Sequence, residues 1–168
     1  MKRLTVVISV FLVAALLAIS GFSQAKKPPS PEDIAFATRT ADLLTATIFA
    51  ALLQEFDETT PANVQEGIQS IGLVFNDRNS NMRLVGTFQP LSDNDLPNDP
   101  FEQAALAQAL QGQPLTTVEK DQGEWVYRRS IPLSNFRAEC HLCHSNFPST
   151  PSSTDWMGAL MLKVPINK

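Results

Sequence analysis

The sequence Thr116-Thr-Val-Glu-Lys-Asp-Gln-Gly-Glu-Trp125-Val-Tyr-Arg-Arg-Ser-Ile-Pro-Leu133 decides the fold class of this chain. Its two ends are rich in β-branched and aromatic residues and flank a Lys-Asp-Gln-Gly segment, a pattern that predicts a β-hairpin. Alternation along the second strand places Trp125 and Tyr127 on one face, where we expect them to line the core or the wall of a binding site. The chain therefore predicts an antiparallel sheet built around residues 116–133.

Helices and further strands are predicted on both sides of this hairpin. Apolar residues recur at helical spacing in three segments: Pro31 to about Phe56, Pro61 to Phe75, and Phe101 to Gln111. Ser30 is a good N-cap for the first helix, and Gly112 is the expected stop of the third. Strands are expected over 82–87 and over 158–164, the latter after a polar loop over 148–154. This order predicts one α+β domain, with an antiparallel sheet flanked by long N-terminal helices.

The composition fits a single globular domain. The chain has 168 residues, of which 43% are hydrophobic and 18% charged, so it is not a disordered sequence. Its formal net charge is −4 and becomes −6 if a leader containing Lys2 and Arg3 is removed. Such an acidic chain is a poor partner for the phosphates of nucleic acid, which excludes that class of ligand. It favours basic protein partners through electrostatic steering.

The first 25 residues predict a secretory signal peptide. Lys2-Arg3 is a positive segment, Leu4–Ile19 is a nearly continuous apolar run, and Ser23-Gln24-Ala25 has the small-x-small pattern that signal peptidase accepts. Cleavage is expected after Ala25, which leaves residues 26–168 as one exported, periplasmic domain. An uncleaved N-terminal anchor is the alternative. No other stretch is expected to cross a bilayer, so no stable membrane insertion is expected after cleavage.

The two cysteines of the chain lie together in the segment Cys140-His141-Leu142-Cys143-His144. This spacing is the attachment signature of c-type haem. Thiols three positions apart lie close together on one helical turn, so both can reach the vinyl groups on one edge of a porphyrin. The adjacent His144 is then expected to bind the iron as its proximal ligand. The sequence predicts one covalent haem c, and His141, held by the attachment turn, is not expected to be an iron ligand.

Three other interpretations of this segment explain it less completely than haem attachment does. A redox dithiol is expected in a thioredoxin-like βαβ context near the chain start, whereas this pair lies late and between strands. A zinc site would need four ligands within five residues, which do not readily close a tetrahedron. A structural disulfide would leave His144 without a role. Haem attachment is favoured because it gives a role to both cysteines and to His144.

The chain resembles the Tll0287-like (DUF3365) family of c-type haem proteins. The resemblance covers most of the chain after the leader and follows the order of its segments. Besides the N-terminal helices, these segments are Asp99-Pro-Phe101-Glu102, Tyr127-Arg-Arg-Ser-Ile-Pro132, the Cys-x-x-Cys-His box, and Gly158-Ala-Leu-Met-Leu-Lys-Val-Pro165. The resemblance implies a PAS-like fold, an antiparallel sheet flanked by helices.

The chain departs from this family at the second side of the iron. Family members can bind the iron there through a cysteine of the second helix, and the corresponding position here is Ile71. The resemblance therefore implies another sixth ligand or a five-coordinate iron. Met82, Met157 and Met161 are the thioether candidates. Core filling is the alternative role for each, and Lys or water are alternative ligands. Met157 is expected in a loop and the other two in strands.

Two groups of charged residues have candidate roles. Arg128 and Arg129 could each pair with a haem propionate, because guanidinium matches carboxylate geometry. In a strand they point to opposite faces, so at most one should face the haem. Asp93, Asp95 and Asp99 lack the spacing of a calcium loop and predict a solvated turn.

The sequence predicts a periplasmic electron carrier, not an enzyme, that works with a redox partner protein. No cluster of acid, base and nucleophile accompanies the haem motif. The PAS-like resemblance supports a second hypothesis, a haem-based redox or gas sensor that acts through a partner protein. A peroxidase is the least supported, because His141 is the sole distal acid–base candidate.

Overall fold

The computed structural model describes residues 27–55, 81–86, 95–138, 140–143 and 147–166. These ranges contain helices α1 (Pro31–Glu55), α2 (Pro100–Ala109) and α3 (Cys140–Cys143). They also contain strands β1 (Met82–Gly86), β2 (Thr116–Asp121), β3 (Glu124–Asn135) and β4 (Ser152–Pro165). The predicted leader, the predicted helix over 61–75 and Ile71 lie outside the described residues. The fold is a mixture of helix and sheet, as the order of sequence patterns predicts.

The four described strands form one antiparallel sheet in the order β1-β4-β3-β2. The predicted hairpin is confirmed, because β2 pairs with β3 along its whole length. Its turn consists of Gln122 and Gly123, whose φ angles of 52° and 88° are both positive. Two-residue turns of this kind match the twist of the strands that they join. The strand that comes last, β4, is central in the sheet and pairs with β1 on one side and β3 on the other.

β4 is longer than the sequence predicts. It begins at Ser152, and the predicted polar loop is therefore wrong over Ser152–Thr154. These residues reach the end of β3 through the pair Asn135↔Ser152. Met157, which is expected in a loop, lies in the same strand. Residues 153–155 are exposed, so this part of β4 lacks the apolar alternation by which a strand is recognised.

α1 covers one face of the sheet. It begins as predicted: the Asp33 N–H donates to Ser30 Oγ (3.2 Å), and the Ser30 N–H donates to Asp33 Oδ2 (2.8 Å). This reciprocal pair satisfies two backbone donors that a helix start leaves open. Ala37, Ala41 and Ile48 are buried on its inner side. The strand residues of the same cluster are Tyr127, Leu160, Leu162 and Val164.

α2 covers the opposite face. Asp99 is its N-cap and accepts the N–H of Glu102 at 2.9 Å, and the helix ends three residues before Gly112, which has φ 75°. The buried residues of this layer are Phe101, Ala105, Leu106, Ala109, Val85, Ala159 and Met161. Neighbouring residues of a strand point to opposite faces. The sheet therefore lies between the two helices.

The outward side of α1 exposes large apolar side chains. From Pro31 to Ala51 this helix is long and apolar enough to cross a membrane by length and composition, so the expectation that the leader alone has this property is wrong. A signal sequence and the core helix of a soluble protein pass the same test, and the finding is compatible with export. Phe36 and Leu43 on its outward side are 65% and 69% exposed.

Two glycines that face each other across the β1–β4 pair differ in the space around them, and they give a test of this register. A Cβ on Gly158 would lie 2.5 Å from the carbonyl oxygen of Val85, whereas one on Gly86 would lie 3.5 Å from that of Met157. We expect Gly158→Ala to lower the free energy of unfolding by about 1–3 kcal/mol, because β1 must shift. Gly86→Ala should change it by less than about 1 kcal/mol. Urea unfolding followed by circular dichroism measures both, and equal effects would contradict the register.

Candidate functional site

The predicted haem segment lies in the connection between β3 and β4. Cys140–Cys143 forms one turn of helix, and the N–H of Cys140 donates to the carbonyl oxygen of Arg137 at 3.3 Å. Residues three positions apart are neighbours on a helix, which is the arrangement that the motif needs. Cys140 is half-buried. The side chain of Cys143 and the whole of His144 lie outside the described residues.

The outgoing arm of this connection is fixed on the C-terminal part of α1. The Phe136 ring lies 6.1 Å from the Phe49 ring, centroid to centroid, in a tilted arrangement. The Arg137 guanidinium donates from Nη2 to the carbonyl oxygen of Leu53 at 3.1 Å. That carbonyl belongs to the last turn of α1, where the partial negative charge of a helix end favours a cation. The haem segment therefore leaves the sheet on the side of α1.

His141 is bound back to its own turn. Its Nδ1 lies in hydrogen-bond contact with the carbonyl oxygen of Ala138, so Nδ1 is the donor. This contact holds the imidazole beside the start of α3. It leaves Nε2 as the ring nitrogen available to other groups. Whether His141 binds iron is not tested by this contact, so its exclusion as a ligand stays a prediction.

The three methionine candidates for the sixth ligand lie in different surroundings. Met161 is 3% exposed and is buried in the α2 layer, on the face opposite to the one from which the haem segment leaves. Met82 is half-buried against the α1 layer. Met157 is half-buried and has no partner in β3, because the pairing of the two strands shifts after Leu133. Bulges of this kind re-aim side chains. Of the three, Met161 has the clearest role in the core.

Arg128 and Arg129 point to opposite faces, as predicted. Arg128 binds Asp99 at 2.8 Å and Glu119 at 3.0 Å on the α2 side, and Arg129 forms an ion pair with Asp42 of α1. Both guanidinium groups thus have carboxylate partners within the chain. Neither needs a propionate to balance its charge. Asp99, expected in a solvated turn, is instead a helix cap and an ion-pair partner.

A buried charge cluster in the α2 layer is the feature that the sequence pattern did not indicate. Glu102 is 3% exposed and forms an ion pair with Arg83, which is equally buried. The same Oε2 accepts the N–H of Asn98 at 2.9 Å, and Arg83 Nη2 donates to the carbonyl oxygen of Leu96 at 2.9 Å. The Arg128 guanidinium also lies over the Phe101 ring, 4.3 Å from its centroid. Buried charges are tolerated when they are paired in this way.

The cluster lines a cavity of about 330 Å³ beside the N-terminus of α2. Its cations and carboxylates pair with one another, so the cavity wall is balanced in charge. The one local signal for it was an acidic residue, Glu102, on the same helix face as Ala105 and Leu106. A charge on an apolar face needs a partner, and that partner comes from β1, which is distant in sequence.

No family model matches the chain, and no curated protein shows significant similarity to it. Among the residues that the structure describes, no group of three or more His, Cys, Asp or Glu side chains could hold a metal ion. The predicted iron ligand, His144, is not in that set. The family resemblance therefore rests on the sequence segments that suggested it.

Asp99 gives a pH test of the cap and its ion pair. Burial of its carboxyl opposes ionisation, but the hydrogen bond from Arg128 and the N–H of Glu102 hold the pKa of Asp99 below its usual value of 3.8. A lowered pKa stabilises the fold above the unfolded-state pKa, and this stabilisation is lost as pH falls through the folded-state pKa. Asp99→Asn keeps a good N-cap and removes the charge. We expect it to cost about 1 kcal/mol at neutral pH.

Thermal unfolding of wild type and Asp99→Asn from pH 7 down to acid measures this difference. The two proteins should converge in stability as pH falls below the ordinary aspartate pKa. Asp155→Asn removes the same charge at an exposed position of β4 and should follow wild type throughout. A constant gap between wild type and Asp99→Asn at all pH values would show that the charge of Asp99 does not contribute.

Proposed function

We propose that this chain is an exported monohaem c-type cytochrome, with haem attached through Cys140 and Cys143 and with His144 as the proximal iron ligand. The observation that carries the proposal is the Cys-x-x-Cys-His motif with its two cysteines at the ends of one helical turn. No rival interpretation of the motif accounts for both the spacing and the adjacent histidine.

Several described residues around the motif support haem attachment. Two thiols at this spacing are the donor set for thioether attachment, and Cys140 is half-buried. Phe49 and Phe136 supply an aromatic wall beside the start of the segment, and Leu133 adds an aliphatic side chain at the end of β3. A bound haem would supply one-electron chemistry. The residues of the chain attach it, exclude water from one side and set the field at the iron.

Electron transfer is the function that we propose for this cytochrome. A single attached haem would supply one-electron chemistry by itself, and the chain would supply its attachment and surroundings. A net charge of −4 for the full chain favours a basic redox partner protein. Export to the periplasm is part of the proposal, because the leader pattern predicts it.

Membership of the Tll0287-like (DUF3365) family, with its PAS-like domain, is likewise proposed. The four-stranded antiparallel sheet with helices on both faces supports it. The alternative function, a redox or gas sensor acting through a partner protein, follows from the same resemblance. A gas sensor requires an open or exchangeable sixth position on the iron. The sixth ligand thus separates the electron carrier from a gas sensor.

The motif histidines give a matched test of haem attachment. The protein should be made in cells competent for cytochrome c maturation and stained for haem peroxidase activity on a denaturing gel. We expect wild type and His141→Ala to stain, and Cys140→Ser/Cys143→Ser to be colourless. His144→Ala should lose the low-spin spectrum or the haem itself, because it loses the proximal ligand. A colourless wild type would overturn the proposal.

Carbon monoxide distinguishes the electron carrier from a gas sensor. We expect the ferrous protein to give an unchanged spectrum on addition of CO, together with a reversible one-electron couple in a redox titration, because a closed sixth position suits electron transfer. The control is the ferric protein under the same gas. Rapid CO binding to a five-coordinate ferrous haem would favour the sensor and count against the carrier.

A further inference from the structure

Asn135 is the last residue of β3 and is completely buried. Its Nδ2 group donates two hydrogen bonds, to the carbonyl oxygen of Pro148 at 2.8 Å and to that of Thr150 at 3.0 Å. Both acceptors lie in the returning arm of the connection that carries the haem motif. One side chain therefore joins the point where the connection leaves the sheet to the point where it comes back.

The backbone pairing at this point is irregular. Ser134 pairs with Trp156, but Asn135 pairs with Ser152, so residues 153–155 of β4 have no partner in β3. A regular ladder of hydrogen bonds is thus interrupted where the connection begins. The two bonds from Asn135 add to the single pair Asn135↔Ser152 and fix two carbonyl groups that precede β4.

The burial of Asn135 indicates that this position requires a side chain with two N–H donors. Asn135 Oδ1 has no hydrogen-bond partner among the described residues, and a buried acceptor without a partner is costly. A smaller apolar residue would avoid that cost. Asn nevertheless occupies the position, where its two N–H groups each meet a backbone carbonyl.

The connection is anchored at both ends as a result. On the outgoing side, Phe136 and Arg137 are held on α1, and on the returning side the carbonyl groups of Pro148 and Thr150 are held by Asn135. Closing such a connection costs conformational entropy that the fold must offset. Holding both arms limits the positions that α3, with Cys140 and Cys143, can take relative to α1.

We propose that Asn135 is a positioning residue that closes the β3–β4 connection and so sets where the haem motif lies against α1. The consequence for the iron rests on the proposed haem attachment; the closure of the connection does not. Asn135→Asp is the sharpest variant, because it keeps the size of the side chain, removes both donors and places a carboxylate beside two carbonyl oxygens. Asn135→Ser removes the bridge without adding a charge and serves where the aspartate variant does not fold.

The experiment compares full-length wild type and variants, made with haem maturation, by hydrogen–deuterium exchange and by absorption spectroscopy of the ferric and ferrous states. Loss of the two hydrogen bonds should speed amide exchange in residues 136–138 and 147–151 by at least about tenfold. The exchange of β1 and β2 should stay unchanged. The haem spectrum should shift toward a mixture of spin states. Asn81→Asp, the same change at an exposed asparagine before β1, should leave both readouts as in wild type.

The two readouts separate the positioning role from the haem assignment. Faster exchange in the connection with an altered haem spectrum supports the proposal in full. Unchanged exchange in both Asn135 variants overturns it, whatever the spectrum. If wild type carries no haem, the proposed function fails, and exchange alone then decides whether Asn135 closes the connection.

Discussion

The pairing of β3 with β4 is the contact on which the rest of the structure depends. It joins Glu124–Asn135 to Ser152–Pro165 over most of their length and forms the middle of the sheet. Its two faces present different side chains, so α1 packs on a layer of leucine, valine and tyrosine and α2 on a layer of small residues and methionine. The connection between the same two strands carries the haem motif. The register of this one pair thus places the core, both helices and the candidate site.

Much of the fold could be predicted from the sequence because its signals are local. The hairpin follows from strand patterns around a short turn, and the start of α1 follows from Ser30 and Pro31. The start of β4 could not be predicted, because residues 152–155 are polar and their link to β3 is the single pair Asn135↔Ser152. Long-range pairing of this kind leaves no periodicity in the segment itself.

The candidate site also has residues that a local pattern predicts and residues that depend on distant partners. The cysteine spacing is a local pattern, and it predicts Cys140 and Cys143 as attachment residues. The two anchors of the connection depend on distant partners: Arg137 on the carbonyl of Leu53, and Asn135 on the carbonyls of Pro148 and Thr150. The Arg83–Glu102 pair likewise joins β1 to α2. Sequence indicates which residues have reactive chemistry, whereas the residues that position them become visible only when separate segments meet.

The order of the strands also has a consequence for biogenesis. The central strand, β4, follows every other described element along the chain, so the β2–β3 hairpin and β1 are joined in one sheet only when β4 is available. A chain that emerges from its N-terminus therefore presents Cys140 and Cys143 before the middle of the sheet can form. The β3–β4 connection takes its place in the fold only when Ser152–Pro165 pairs with the strands on both sides.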